Sequence, residues 1–189
     1  IMAGALITLN GVCCSLYGKE LFEDISLSLD QGTRAGLVGG NGCGKSTLLK
    51  IIGKDLEPDA GEVICRRGLR VEYVPQFVPP DLVRVPLFAA MQAKIRESGL
   101  EVPEWKIEEL LSRFGFTPDQ YDIPLGAISG GEANQAMLCR AMLVEPHLLL
   151  LDEPTNHMDS ESIVAFERLL KEELRIPFCI VSHDRELID

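Results

Sequence analysis

The chain has 189 residues, 46% of them hydrophobic, and a formal net charge of −11. That length supports one substantial core with a small subdomain but not two full domains, and no apolar run approaches the roughly 20 residues that span a bilayer. The acidic balance opposes a purely electrostatic grip on nucleic acid, although Arg66-Arg67 with Arg70 offers a local basic patch for a phosphate backbone.

The opening Ile1-Met2-Ala3-Gly4-Ala5 has neither the basic leader nor the long apolar segment of a secretion signal, so a soluble protein is expected. Leu6 to Cys14 and Leu21 to Leu29 read as strands joined by a turn at Tyr17-Gly18-Lys19, the second alternating Ile25, Leu27 and Leu29 with Ser26, Ser28 and Asp30. A strand over Arg34 to Val38 leads into Gly39-Gly40-Asn41-Gly42-Cys43-Gly44-Lys45-Ser46-Thr47, which has the spacing G-x-x-x-x-G-K-S.

This glycine-rich loop, opening onto the helical stretch Leu48 to Ile52, is a phosphate cradle. Its glycines take backbone angles closed to other residues and expose N–H groups at the positive end of the helix. Lys45 suits the β- and γ-phosphates of a triphosphate, and the Ser46 hydroxyl suits a magnesium ion bridging them. The helix is expected to stop at Gly53 with a left-handed cap.

A turn at Glu57 to Gly61 precedes short strands at Glu62 to Cys65 and Arg70 to Val74. From Pro79 to Ile128 the texture changes to helical pieces, Leu87 to Glu97 and Glu104 to Phe114, broken by Pro103, Pro118 and Pro124; this is read as an inserted subdomain. Trp105 is expected to anchor an apolar contact there, and Glu101, Glu104, Glu108 and Glu109 to form a solvated face. In the last third, Leu148 to Leu151 and Phe178 to Val181 are wholly apolar runs. Between them Ile163, Phe166, Leu169-Leu170 and Leu174 fall at helical spacing. Strands of that kind, separated by helices, belong in a parallel sheet covered on both faces.

Ligands of such sheets gather beyond the carboxyl ends of the strands. Three polar groups fall there: the phosphate loop, Asp152-Glu153 after Leu151, and Ser182-His183 after Val181. Asp152 is positioned to hold magnesium through a water, and Glu153 to orient or deprotonate a water attacking the γ-phosphate. His183 suits a hydrogen bond to that phosphate or that water. Gln76, after the strand at 70 to 74, offers an amide to magnesium or water. Ser129-Gly130-Gly131-Glu132 admits two readings, a capping box for the helix running to about Leu143 and a second phosphate-binding helix start. The six cysteines contain no C-x-x-C pair and read as reduced thiols of a cytosolic protein; Cys13 and Cys14 fall on opposite strand faces.

The ordered set of phosphate loop, Gln76, Ser129-Gly130-Gly131-Glu132, Leu148 to Glu153, Asp159 and His183 resembles the nucleotide-binding domain of the ATP-binding-cassette superfamily. The resemblance implies an α/β fold, a P-loop NTPase core with a mostly parallel sheet, an antiparallel β subdomain and a small helical subdomain inserted at about 79–128. Residues 1–189 would form one domain, its C-terminal end truncated. It implies ATP with Mg2+ as cofactors, held by Tyr17 on the adenine and by Gly39, Asn41, Gly42, Cys43, Gly44, Lys45, Ser46 and Thr47 on the phosphates. Metal would lie at Ser46, Gln76 and Asp152, and catalysis with Glu153, His183, Gln76 and Lys45.

By the same resemblance Ser129, Gly130 and Gly131 serve the ATP of an opposing cassette, so that two cassettes sandwich two nucleotides head to tail, and Asp159 communicates across the pair. Asp152-Glu153-Pro154-Thr155-Asn156-His157-Met158-Asp159 and Ser182-His183-Asp184-Arg185 are most similar to the ABC-F group, tandem cassettes that mostly act on ribosomes. Transporter cassettes more often carry Ser-Ala-Leu-Asp after Glu-Pro-Thr. The usual signature begins with Leu and carries Gln or Glu at its fifth place; Ile128 stands for the Leu and Glu132 fits, while the sequence lacks basic residues over Ala133 to Ala136 and shows no linking arm between Gln76 and Ser129. The expected function is ATP binding and hydrolysis on pairing with a second cassette in a cytoplasmic, ribosome- or RNA-associated protein. Two alternatives stand beside it: the ATPase subunit of a membrane transporter, with a membrane partner, and an ATP-dependent clamp without useful turnover.

Overall fold

The computed structural model describes residues 4–156 and 158–182, apart from the side chains of residues 172 and 173. Strands β1 (Ala5–Leu16) and β2 (Lys19–Asp30) form an antiparallel hairpin with Leu16 opposite Lys19. The turn is tighter than its sequence suggests: only Tyr17 and Gly18 lie between the strands, at φ 52° and 76°. Two consecutive positive φ values match the right-handed twist of the flanking strands. The alternation expected for β2 holds from Ile25 to Leu29. It fails before that, because Asp24 takes a positive φ beside a register shift, and Leu21 and Phe22 are both half-buried. Strand β4 (Ala60–Cys65) pairs antiparallel with the other edge of β1, giving the order β2-β1-β4.

A second sheet has the order β3-β7-β6-β5, built from β3 (Arg34–Leu37), β5 (Val71–Val74), β6 (Leu148–Asp152) and β7 (Phe178–Val181). Strand β7 runs parallel to both β3 and β6. Every residue of β6 and β7 is buried, as the apolar runs Leu148 to Leu151 and Phe178 to Val181 require, with Asp152 buried at the end of β6. Helix α1 (Lys45–Ile52) follows the glycine-rich loop and buries Leu48, Leu49, Ile51 and Ile52. These join Leu6, Ile7, Leu9, Val12, Leu148, Leu150, Cys179 and Val181 in one apolar core.

The end of α1 departs from expectation. Gly53 stays right-handed at φ −71°, its N–H bonded to the Leu49 carbonyl, and Lys54 takes the positive φ. Gly53 is small for a packing reason, since a Cβ there would stand 3.3 Å from Leu150 Cδ1.

Residues 74–145 and 154–174 form a compact unit apart from the remainder of the described chain. It contains α2 (Leu87–Ser98), α3 (Glu104–Arg113), α4 (Gly130–Met142) and α5 (Ser160–Arg168), which continues as a π turn over Leu169–Glu173. Leu87, Met91, Ile107, Leu111, Leu125 and Leu138 are fully buried, and Arg140 ties α4 to α2 through the Ala90 carbonyl and the Glu97 carboxylate. Trp105 does not anchor an apolar contact; it is 62% exposed on α3, while Ile107 and Leu111 hold the buried face. Glu101, Glu104, Glu108 and Glu109 are exposed, as read. Among the described residues no helix is long and apolar enough to cross a membrane.

Candidate functional site

Leu37 and Asp152 both register with Val181 on β7, so the carboxyl ends of β3, β7 and β6 finish side by side. The glycine-rich loop, Asp152-Glu153 and Ser182 leave the sheet at this edge. Gly39, Asn41, Gly42 and Cys43 are exposed, and Gly44, Lys45, Ser46 and Thr47 half-buried. Gly44 has φ 97°, and a Cβ there would lie 2.9 Å from Phe22 Cδ1 and 3.0 Å from Leu21 Cβ. Only glycine fits, because the loop bends left-handed where it presses on β2. No side chain caps α1, so its first N–H groups stay available to a ligand. The Lys45 ammonium is gathered to the loop, donating to the Gly39 and Gly40 carbonyls at 2.8 and 3.0 Å.

Asp152 is buried, 3% exposed, and each carboxylate oxygen accepts one hydroxyl. Oδ1 accepts from Ser46 Oγ at 2.9 Å, Oδ2 from Tyr73 at 2.7 Å. Burial first, and then the bonded Asp152 carboxylate, push the Tyr73 phenol well above its ordinary pKa, so it remains a donor. Glu153 takes φ 46°, rare for a residue with a Cβ, and is pinned there by its N–H to the Val181 carbonyl at 2.9 Å. Backbone held in this region costs on the order of 1 kcal/mol and concentrates at functional positions.

Hydroxyl and carboxylate oxygens are the hard donors that Mg2+ takes, and Mg2+ keeps waters and substrate phosphates as its remaining ligands. Ser46 with Asp152 fits that demand. Among the described residues no cluster of three or more His, Cys, Asp or Glu side chains competes as a metal cage.

Tyr17 stands fully exposed at the hairpin tip. Gln76 is half-buried in the segment after β5, and it and Ser129 to Gly131 belong to the helical unit. There Ser129 and Glu132 form the expected capping box: the Glu132 N–H donates to Ser129 Oγ, and the Ser129 N–H to the Glu132 carboxylate at 2.9 Å. Gln120 adds a bond at 2.9 Å to the other carboxylate oxygen. Ser129 and Gly130 remain exposed at the helix start. Asp159 caps α5 by accepting the Ser162 N–H at 2.8 Å. His183 lies outside the described residues. All six cysteines are free thiols, with Cys14 buried and Cys13 part-buried.

Two residues escaped the sequence reading. Tyr73 counted only as a strand residue, and nothing local marks its partner. Asn134, on α4, is 5% exposed, and its Nδ2 donates to the Pro154 and Asn156 carbonyls, both at 2.9 Å, fastening the segment that follows Glu153. The amides Asn134-Gln135 set between Ala133 and Ala136-Met137 are a usable signal, because a buried polar group must find partners.

A family model described as ABC transporter matches residues 22–156. The ATP-binding protein Uup of Escherichia coli (strain K12) is 34% identical over 184 residues, 96% of this chain and 28% of that protein. The chain spans 28% to 39% of the length of the Uup-type relatives it matches. The zinc import ATP-binding protein ZnuC of Yersinia enterocolitica is 36% identical over 186 residues, 97% of this chain and 72% of that protein. Among solved structures, a dimeric ATP-binding cassette in a post-hydrolysis state, bound to ADP and Pi, shares the fold with a TM-score of 0.78 at 21% identity, covering 96% of this chain and 90% of that one. A family match across most of the chain, seconded by ZnuC over 97% of the chain, means that the chain belongs to the ABC transporter family of ATP-binding cassettes and is an ATPase domain taking ATP with Mg2+.

Proposed function

We propose that this cassette is one of a head-to-tail pair in a cytoplasmic, ribosome-associated ATPase of ABC-F type. The observation that carries this reading is the run Asn156-His157-Met158-Asp159 after Glu153-Pro154-Thr155. Similarity to Uup, a protein of ABC-F type, supports it. ATP would lie with its adenine on Tyr17 and its phosphates in the loop from Gly39 to Thr47, with Ser129, Gly130 and Gly131 of the opposite cassette closing over it.

Ser46 and Asp152 would hold Mg2+, which supplies neutralisation of the phosphate oxygens during transfer. Lys45 adds a fixed positive charge on those oxygens. Glu153 accepts a proton from the attacking water as its oxygen bonds to the γ-phosphorus and the β–γ bridge breaks. His183 is assigned a hydrogen bond to the same water or phosphate.

The test is Glu153→Gln: ATP binding stays at the parental level and turnover falls at least about 100-fold. Hydrolysis at the parental rate would remove Glu153 from its role. A second reading, the ATPase subunit of a membrane transporter, is favoured by the similarity to ZnuC. Sucrose-gradient fractionation of cell extract separates them, since co-sedimentation with ribosomes supports the first and co-purification of a membrane protein replaces it with the second.

A further inference from the structure

We propose that Tyr73 is a positioning residue for the metal-holding carboxylate, fixing the plane of Asp152 through the bond to Oδ2 so that Oδ1 faces Ser46. The proposal rests on the reading that Asp152 holds Mg2+. Strand β5 is the neighbour of β6 in the sheet order, and from it the Tyr73 hydroxyl reaches Asp152 Oδ2 at 2.7 Å. Ser46 Oγ occupies Oδ1 at 2.9 Å. A buried carboxylate needs donors for both oxygens, because an oxygen left without any carries the full cost of desolvation.

The geometry does more than satisfy the carboxylate. The terminal torsion of an aspartate is soft and broad, so a single donor leaves the carboxylate plane free to swing. Donors on opposite oxygens, one from α1 and one from β5, clamp it. Ser46 has a second duty, since its oxygen lone pairs must turn to the cation while its proton stays on Oδ1. Tyr73 has none assigned. It is therefore the constant member of the clamp, holding Asp152 in place whether or not metal is bound. Partners that orient metal-holding carboxylates in this way are worth 10- to 100-fold in metal affinity.

Tyr73→Phe removes the hydroxyl and leaves the ring. ATP affinity is measured by isothermal titration calorimetry in EDTA and across a Mg2+ series, together with the Mg2+ concentration for half-maximal ATP hydrolysis, for the parent, Tyr73→Phe and Asp152→Asn. The expected result is a rise of about ten-fold in half-saturating Mg2+ for Tyr73→Phe, with ATP affinity in EDTA within about two-fold of the parent. A residue that only packs would shift the thermal midpoint and leave the Mg2+ dependence alone. If Asp152→Asn weakens the Mg2+ response and Tyr73→Phe does not, the positioning role is overturned. If Asp152→Asn itself leaves the response unchanged, the metal reading beneath it fails instead. Fluorotyrosine at position 73 covers the case in which the Phe variant folds poorly: as a stronger donor of nearly the same shape, it shifts half-saturating Mg2+ from the parental value if the bond matters, and leaves it there if the proposal is wrong.

Discussion

Ser46 Oγ donates to Asp152 Oδ1 at 2.9 Å although 106 positions separate the two residues in the chain. The bond joins the first turn of α1 to the end of β6, bringing together a hydroxyl and a carboxylate that both suit Mg2+. Ser46→Ala removes a hydroxyl bonded to a charged group, an interaction worth about 1.5–3 kcal/mol. The expected outcome is a loss of about ten-fold or more in ATP affinity with Mg2+ and little change in EDTA, read by calorimetry. Ser46→Thr keeps the hydroxyl and stays within a few-fold of the parent.

Gly44→Ala tests the seat of the phosphate loop. Its new Cβ meets Phe22 and Leu21 inside van der Waals distance at a φ of 97°. Steric and backbone strain together cost about 2–3 kcal/mol, which a urea titration reads as a lower midpoint at unchanged slope. Adding Phe22→Ala relieves the ring contact but not the backbone, so the double variant stays less stable than Phe22→Ala alone. Equal stability of those two would show that the loop adapts and that the glycine is dispensable.

Acid sensitivity should trace to the cap of α4. The Ser129 hydroxyl and then its N–H, with a further bond from Gln120, hold the Glu132 carboxyl below the usual glutamate range against a smaller opposing effect of burial. A group depressed on folding contributes fully above its unfolded value, about 4.5, and loses that contribution as pH falls through its folded value below it. Between pH 5 and pH 3 the parent should therefore lose stability more steeply than Glu132→Gln, in urea titrations run across that range. At pH 7 the variant, whose amide still caps, is less stable by about 0.5–1 kcal/mol. Parallel pH profiles would show that the cap does not titrate on unfolding.

Thiol chemistry should single out one cysteine of the loop. Cys43 is exposed, whereas Cys139 and Cys179 are buried, the first raised above the ordinary thiol range and the second pushed up to about 12, both by burial. Because the thiolate is the nucleophile, iodoacetamide should label Cys43 at least about 100-fold faster than either buried thiol, as followed by peptide mass spectrometry. Cys43 Sγ lies over Gly39, 2.8 Å from where a Cβ would stand, so a carboxamidomethyl group there fills the loop. ATP should slow the labelling, and the labelled protein should lose nucleotide affinity. Labelling that ATP does not touch would place the phosphates elsewhere.

Much of this molecule is decided by short-range chemistry, and that part was legible in the chain. The glycine spacing of residues 39–47, the uniformly apolar runs before Asp152 and Ser182, the capping pair Ser129 and Glu132, and the helix over Glu104 to Arg113 each express a local steric or periodic rule. Tertiary structure alone decided the rest. Gly53 is small because of Leu150, Gly44 is required because of Phe22, and Trp105 stays outside because Ile107 and Leu111 take the buried face. The last strand among the described residues, β7, settles between β3 and β6, and that strand order sets which side chains become neighbours across the sheet. Tyr73 meets Asp152 through such a lateral contact, between strands 79 positions apart. Periodicity records which face of a strand is buried; it carries nothing about which strand lies alongside, because that follows from the packing of the whole core.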